Sequence, residues 1–421
     1  MIFNMFLIKI RGGHLPMFEF RVKSLNDTNK LINKNLRKSI LLPFSSNKIF
    51  KEINKNEKAT LNIHTPFCDT VYPGENDYKI PKDKELSNYL TYLLKEIDKL
   101  GKNKSFSQVE IEHLNFSGIS STIYNNEDLI AILKRLKSNF KFVPNLTFTF
   151  ESSLESLTDE KLKTLIDNGL THLTLNIYTF SQSGREKLNL NLTNEEIINK
   201  IRDIKEKYSI RIKTNIIYNY PEESINEVLY DAQILSELEI DSINFRAFEK
   251  QITKTLPENS IAYDFHLRNE KELHDKFLEK IFIEGYRFHS FTDFAFAKKD
   301  NPIKNSDIIS IGIDGRGAVG KYEYFNKNKL LSFYIKNNEF TTNLKKLISV
   351  LDNLEVELTD LRKLIGDEIY PEIMTLLYEF QKDGVIQFGE NIFAYTADGL
   401  FWGDTIIYII IAKIIEYKYM K

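Results

Sequence analysis

Cysteine is nearly absent from this chain: Cys68 is the one thiol in 421 residues. That excludes an internal disulfide framework and any metal site built from several thiolates. An excess of one charge is absent too. The 57 basic and 59 acidic residues leave a formal charge of -2, with no long-range field to draw in nucleic acid or anionic lipid. No hydrophobic run reaches the roughly 20 residues a membrane span needs. The longest near the C-terminus, residues 406–415, is broken by Lys413 and reads as a core-facing helix. At the other end, residues 1–20 mix Lys9, Arg11, Gly12 and Gly13 into a short apolar stretch without a small-residue cleavage site, so no signal peptide is expected. The expected location is the cytoplasm, away from any membrane. What is present is an apolar fraction of 42%, enough for one large core with appendages.

Between residues 59 and 248, strand-like and helix-like segments alternate regularly, the pattern of a parallel sheet or barrel. The strands are expected at 60–64, 109–116, 146–151, 172–177, 211–218 and 242–245. Amphipathic helices are expected at 85–100, 127–136, 159–167, 194–208 and 225–238, with Thr158 and Thr193 as N-caps. The fold class is therefore α/β, an incomplete parallel (β/α)6 barrel. Crossovers of one hand bring the strand C-termini to one face, where Cys68, Ser117, Gly118, Glu151, Tyr178, Asn215 and Arg246 arrive. Glu151 is a candidate partner for Arg246. Six aromatics, Phe116, Phe150, Tyr178, Phe180, Tyr218 and Phe245, are expected to line the cleft.

The barrel is assigned to 59–250, after a lead-in at 1–58 whose polar part, 26–57, reads as loosely packed. An extension at 251–340 holds a helix near 270–285 and a glycine-spaced segment, 311–318. No Lys-Ser/Thr ending follows those glycines, so tight turns explain them better than a phosphate loop. Residues 341–421 read as helix, helix, a hairpin around 385–395 and a final helix, a winged-helix-like domain. Asp360, Asp367, Glu368, Glu372 and Glu379 make it too acidic for a phosphate backbone, so no nucleic acid is expected as a partner.

The run Leu61-Asn62-Ile63-His64-Thr65-Pro66-Phe67-Cys68 resembles the first-strand signature of the oxygen-independent coproporphyrinogen oxidase family of radical S-adenosylmethionine (SAM) proteins. In that family an Ile-His-x-Pro-Phe-Cys run opens a CxxxCxxC cluster motif. Here the second and third cysteine positions hold Tyr72 and Glu75. Further landmarks follow in order over roughly 59–415. Asn115 to Ser121 stands at the glycine-rich turn, of which Gly118 is kept. Thr149-Phe150-Glu151 resembles the third strand, and Leu175 to Phe180 the Gly-Val-Gln-Ser/Thr-Phe strand, with Tyr178 in place of glutamine. Residues 188–192 replace the Leu-Gly-Arg-x-His element, its arginine becoming Leu190, and 215–224 replace Asp-Leu-Ile-Tyr-Gly-Leu-Pro-Gly-Gln-Thr, its aspartate becoming Asn215. The Gly317 to Lys321 and Thr396 to Trp402 runs are most similar to the anaerobic haem-utilisation branch, whose members are ring-opening methyltransferases.

The resemblance implies a [4Fe–4S] cluster held by three thiolates and SAM chelated to its open iron. Cys68, Tyr72 and Glu75 cannot supply those thiolates, and the degenerate SAM cleft keeps Gly118 and Glu151 but carries Tyr178 and Asn215. The expectation is a chain with no catalytic residues, without cluster or SAM, that binds haem or a related tetrapyrrole. His64, His113, His172 and His289 are the candidate axial ligands. A role as regulatory partner of an active, cluster-bearing radical SAM paralogue is the alternative, followed by a working radical SAM enzyme. Cys68 itself is expected to be a partly buried relic, since no His or Lys sits beside it to lower its pKa.

Overall fold

A computed structural model describes residues 21–22, 24–35, 39–41, 58–69, 80–103, 106, 109–118, 121–248, 267–296, 307–328 and 332–420. They fall into two compact units. One holds residues 39–287 and 293–337, the other 1–38, 288–292 and 338–421.

The larger unit is built on β1 (Ser39–Leu41), β2 (Lys58–His64), α2 (Asp83–Gly101), β3 (Glu110–Ser117), α3 (Asn126–Asn139), β4 (Lys141–Ser152), α4 (Asp159–Asp167) and β5 (His172–Tyr178). It continues through α5 (Gln182–Lys187), α6 (Asn194–Lys207), β6 (Arg211–Tyr218), α7 (Ile225–Glu237), β7 (Ser242–Ala247) and α8 (Leu267–Ile283). Every expected strand and helix of the barrel is present, with ends shifted by a few residues. Thr158 and Thr193 accept hydrogen bonds from the backbone N–H of Lys161 and Glu196, and Glu196 completes a capping box.

The six expected strands lie side by side, parallel, in the order β2-β3-β4-β5-β6-β7. A seventh parallel strand, β10 (Asp307–Ile311), joins the free edge of β2, and the barrel stays open. Antiparallel strands extend both sides: β11 (Arg316–Val319), β12 (Tyr322–Asn326) and β13 (Ser332–Lys336) beyond β10, with β1 beyond them, and β9 (Asp293–Phe296) and β8 (Tyr286–Phe288) beyond β7.

The glycine-spaced segment forms the turn between β10 and β11. Gly312 has φ +108°, and a Cβ there would lie 2.3 Å from the carbonyl oxygen of His64. The Tyr89 hydroxyl donates to that same carbonyl at 2.6 Å and accepts from the Ile313 N–H at 3.2 Å. The turn is thereby pinned to the end of β2.

Strand residues alternate between two faces. Leu61, Ile63, Leu114, Phe116, Phe148, Phe150, Leu173, Leu175, Ile212, Ile216, Ile243 and Phe245 are buried on one of them. Phe116 stacks on Phe150 at 5.1 Å, and Phe245 on Tyr218 at 4.3 Å and on Phe277 of α8 at 3.7 Å. This corrects the expected cleft lining. Phe116, Phe150, Tyr218 and Phe245 belong to the sheet-to-helix core, because they share parity with its aliphatic residues.

In the smaller unit α1 (Leu25–Asn35) packs against α12 (Ala397–Met420). Part of the stretch read as a loose lead-in is therefore a helix, with Thr28 and Ile32 fully buried. Ile406, Ile407, Ile410, Ile411, Ile414 and Ile415 are buried, as expected of a core-facing helix. The winged-helix-like arrangement is present with two additions. Three helices precede the hairpin, α9 (Glu339–Leu351), α10 (Leu358–Ile365) and α11 (Tyr370–Lys382), and the hairpin strands β15 (Ile386–Phe388) and β16 (Ile392–Tyr395) are joined by β14 (Glu355–Glu357). No helix among the described residues is long and apolar enough to cross a membrane.

Candidate ligand cleft

The sheet face turned away from the core is lined by carboxamides. Asn62 on β2 is in register with Asn115 on β3, and Asn176 on β5 with Asn215 on β6 and Asn244 on β7. The Asn215 amide donates to Asn176 Oδ1 at 2.6 Å, and the Asn176 amide to Glu151 Oε1 at 3.3 Å. Asn62 donates to Ser310 Oγ at 3.5 Å, and Asn244 to Asp293 Oδ1 at 3.1 Å. Lys213 pairs with Asp293. Asn62 Oδ1 and Ser117 Oγ are buried without a hydrogen-bond partner.

At the C-terminal end of this inner face the character changes to apolar. Cys68, Tyr178, Leu188, Ile217, Tyr220 and Phe248 form one buried cluster, with Leu190 packed against it. Tyr178 reaches it through φ +68°, a left-handed conformation unusual for a bulky residue, at a break in the β5–β6 register. Beside the cluster a narrow cleft is lined by Glu155, Asn176, Tyr178, Arg185, Leu190 and Leu192. Arg185 is buried there, donating to the carbonyls of Ile177 and Thr179, both at 3.0 Å, and to that of Leu192. Burial raises the Glu155 carboxyl above its ordinary range.

Behind the cluster lies a group of buried carboxylates. Asp231 of α7 accepts from the N–H of Phe180 at 2.6 Å and of Ser181 at 3.2 Å, and from the Thr179 hydroxyl at 3.1 Å. Burial nevertheless pushes its pKa up to about 7. Glu223 accepts from the Asn219 N–H, and burial with Asp231 nearby raises it well above the usual range. Glu227 is held low despite burial, by hydrogen bonds from Ser224 and by Lys187 at 3.0 Å. Asn219 and Glu222, at the resembled family's glycine positions, adopt φ +61° and +55°.

Cys68 is 1% exposed, more deeply buried than expected. Tyr72 and Glu75 lie outside the described residues. Gly118 ends β3 with φ +108°, and a Cβ there would meet the Thr65 carbonyl oxygen at 2.2 Å, so its backbone must pass close to the end of β2. The structure brings Glu151 and Asn215 together through Asn176. Glu151 forms no ion pair with Arg246 among the described contacts. Arg246 is exposed, and Glu151 takes the Asn176 amide instead.

The four histidines are dispersed. His64 ends β2, its Nδ1 2.7 Å from the Ile313 carbonyl oxygen, and burial lowers its pKa. His113 lies in the middle of β3 and His172 begins β5, both lowered by burial, and His289 belongs to the smaller unit. Among the described residues no three His, Cys, Asp or Glu side chains converge to hold a metal ion. The carboxamide row and Arg185 went unrecognised in the sequence. The row's signal was present: Asn is depleted in strands, yet one recurs in five of the six.

The profile of the Radical SAM superfamily matches residues 66–234. A HemW-like heme chaperone protein of Buchnera aphidicola is 25% identical over 328 residues, 74% of this chain and 84% of that protein. The heme chaperone HemW of Haemophilus influenzae is 21% identical, over 66% of this chain and 76% of its own length. The oxygen-independent coproporphyrinogen III oxidase of Escherichia coli is 20% identical, over 81% of this chain and 82% of its own. The solved structure of the Escherichia coli coproporphyrinogen III oxidase, described as a radical SAM enzyme, superposes with a TM-score of 0.77 at 14% identity, covering 91% of this chain and 98% of that one.

Proposed function

We propose that this chain, which carries a Radical SAM superfamily domain over residues 66–234 and is similar to HemW and to oxygen-independent coproporphyrinogen III oxidase, binds haem and hands it on without a [4Fe–4S] cluster or radical chemistry. The observation that carries this reading is the state of sulfur at the cleft. A cluster of this kind needs cysteine thiolates. The chain's one thiol, Cys68, is packed among Tyr178, Leu188, Ile217, Tyr220 and Phe248. One thiol does not supply the three that such a cluster needs. Haem as cargo is supported by the relatives named heme chaperones, which match over most of their length.

Of the four histidines, His64 is the best prepared to take an axial position on haem iron. Its Nδ1 lies against a backbone carbonyl, the arrangement that fixes the tautomer and orientation of a metal-binding imidazole. Burial favours its neutral form, the one that binds metals. Its backbone is anchored by Tyr89.

Titrating the purified protein with haemin tests the proposal. A shifted Soret band should saturate at micromolar protein, and His64→Ala should alter the band and weaken binding about tenfold, the loss of one ligand bond of modest net strength. A spectrum that stays that of free haemin ends the haem reading.

A further inference from the structure

Two short segments carry the tyrosines of the apolar cluster around Cys68. Tyr178 ends β5 and leads into residues 179–181, and Tyr220 sits in the turn of residues 219–224 after β6. Both segments are fixed from behind by carboxyl groups. Asp231 of α7 accepts from Thr179, Phe180 and Ser181, and Glu223 accepts from the Asn219 N–H, directly before Tyr220. The second segment depends on such support. Asn219 and Glu222 hold left-handed φ angles without being glycine, a conformation that persists only where the surroundings impose it.

Negative charge behind this wall exceeds the cations that reach it. Glu223, Asp231 and Glu227 act on one another, and the Tyr220 hydroxyl faces all three. Lys187 of α5 pairs with Glu227 at 3.0 Å and donates to the Glu222 carbonyl at 2.7 Å. Arg185, also on α5, is directed at the carbonyls of Ile177, Thr179 and Leu192. From α8 comes a further carboxyl, Glu270, which accepts the Asn219 amide at 2.9 Å, while Lys271 and His274 of that helix engage Asp275. Glu223 Oε1 is buried without a hydrogen-bond partner among the described residues, a costly place for an anion. Glu223 stands where the resembled motif has glutamine, and a protonated carboxyl has that side chain's shape and neutrality. Burial favours the neutral form of both Glu223 and Asp231.

We infer that Glu223 and Asp231 form a proton-dependent latch on the cleft wall: protonated, they hold residues 179–181, residues 219–224 and the apolar cluster between them closed, and loss of a proton leaves uncompensated charge that frees the 219–224 turn and opens the cluster. In the open state the carboxyls meet water and titrate near their ordinary values, so the closed state keeps protons that the open state has released. Closure is therefore firm at low pH and weakens as pH rises toward and past about 7, the folded value of Asp231. The latch does not depend on haem being the ligand.

Cys68 is the chain's one thiol and belongs to this cluster, so its labelling by a disulfide reagent reports opening. At each pH the native rate is divided by that of the chain unfolded in guanidinium, which removes the reagent's own pH dependence. Between pH 6 and 8.5 the wild-type ratio should rise about tenfold or more, the change expected of one carboxyl that titrates near 7 when closed and at its ordinary 3.8 when open. Glu223→Gln and Asp231→Asn keep the side-chain shapes and abolish the ionisations, and the double variant should hold the ratio flat. Hydrogen exchange of the wild type at the two pH values locates the change without any variant: protection should fall in 178–188 and 219–224 while β3 and β4 keep theirs. An unchanged wild-type ratio, a double variant that rises as steeply as the wild type, or protection lost evenly across the barrel overturns the latch.

Discussion

Asp231 shows at the scale of one residue how the cleft is held and what that costs. Its carboxylate ties Thr179, Phe180 and Ser181, the segment directly after Tyr178, to α7. Three donors favour the ionised form, but burial outweighs them and lifts the pKa from 3.8 to about 7. The folded state therefore keeps a proton that the unfolded chain has already released. Between those two values the unfolded state binds fewer protons, so stability is full below pH 4 and falls as pH rises toward 7. The contribution is of order 4 kcal/mol at most. Asp231→Asn keeps an acceptor oxygen and abolishes the ionisation. Urea unfolding at pH 4.5 and at 7.5 should show the variant losing less stability over that interval than the wild type. Parallel losses would mean that Asp231 is already ionised in the folded protein at pH 4.5.

Among elements, the turn from β10 to β11 ties the candidate haem ligand into the sheet. Gly312 sits with a left-handed φ against the His64 carbonyl oxygen and the Tyr89 hydroxyl, so a methyl there has neither the conformation nor the room. Gly312→Ala should cost about 2 kcal/mol or more in chemical denaturation, and should disturb the haemin spectrum by moving Ile313 off the His64 ring. An unchanged midpoint would show that the turn relaxes freely and does not position the histidine. The barrel's own elements were legible because their signals are local. Alternating apolar strands, amphipathic helices and the Thr158 and Thr193 caps each declare themselves within a few residues. β10 was not, since nothing near 307–311 announces a parallel pairing with β2, some 250 residues earlier. β14 is three residues long, too short for an alternation to register, and α1 hides Thr28 and Ile32 in a polar stretch. In the cleft, the replaced positions could be read from the resemblance. The lining could not be read from aromatic content, because Phe150 and Glu151 are neighbours in sequence and face opposite sides of the sheet.

For the whole molecule, the question is whether a preserved scaffold preserves its chemistry, and the function proposed above has the two separate. The fold matches that of a radical SAM enzyme over nearly the full length of both chains, yet a fold does not carry an activity without its site. The missing thiolates cannot be borrowed from elsewhere, since the chain has one cysteine and neutral methionine thioethers are poor substitutes. Tyr178, Leu190 and Asn215, where the resemblance places glutamine, arginine and aspartate around SAM, changed along with the cluster positions. Loss of both sets is expected when selection no longer acts on the reaction, whereas a simple ligand swap would leave the SAM contacts intact. Anaerobic incubation with ferrous iron and sulfide, followed by desalting, should therefore leave a colourless protein with iron far below one cluster per chain. It should cleave no SAM under reducing conditions, and the same preparation should still take up haemin with a shifted Soret band. A brown protein with stoichiometric iron and labile sulfide that turns SAM over would show that oxygen ligands near Cys68 complete a working cluster, and the chain would have to be treated as an enzyme.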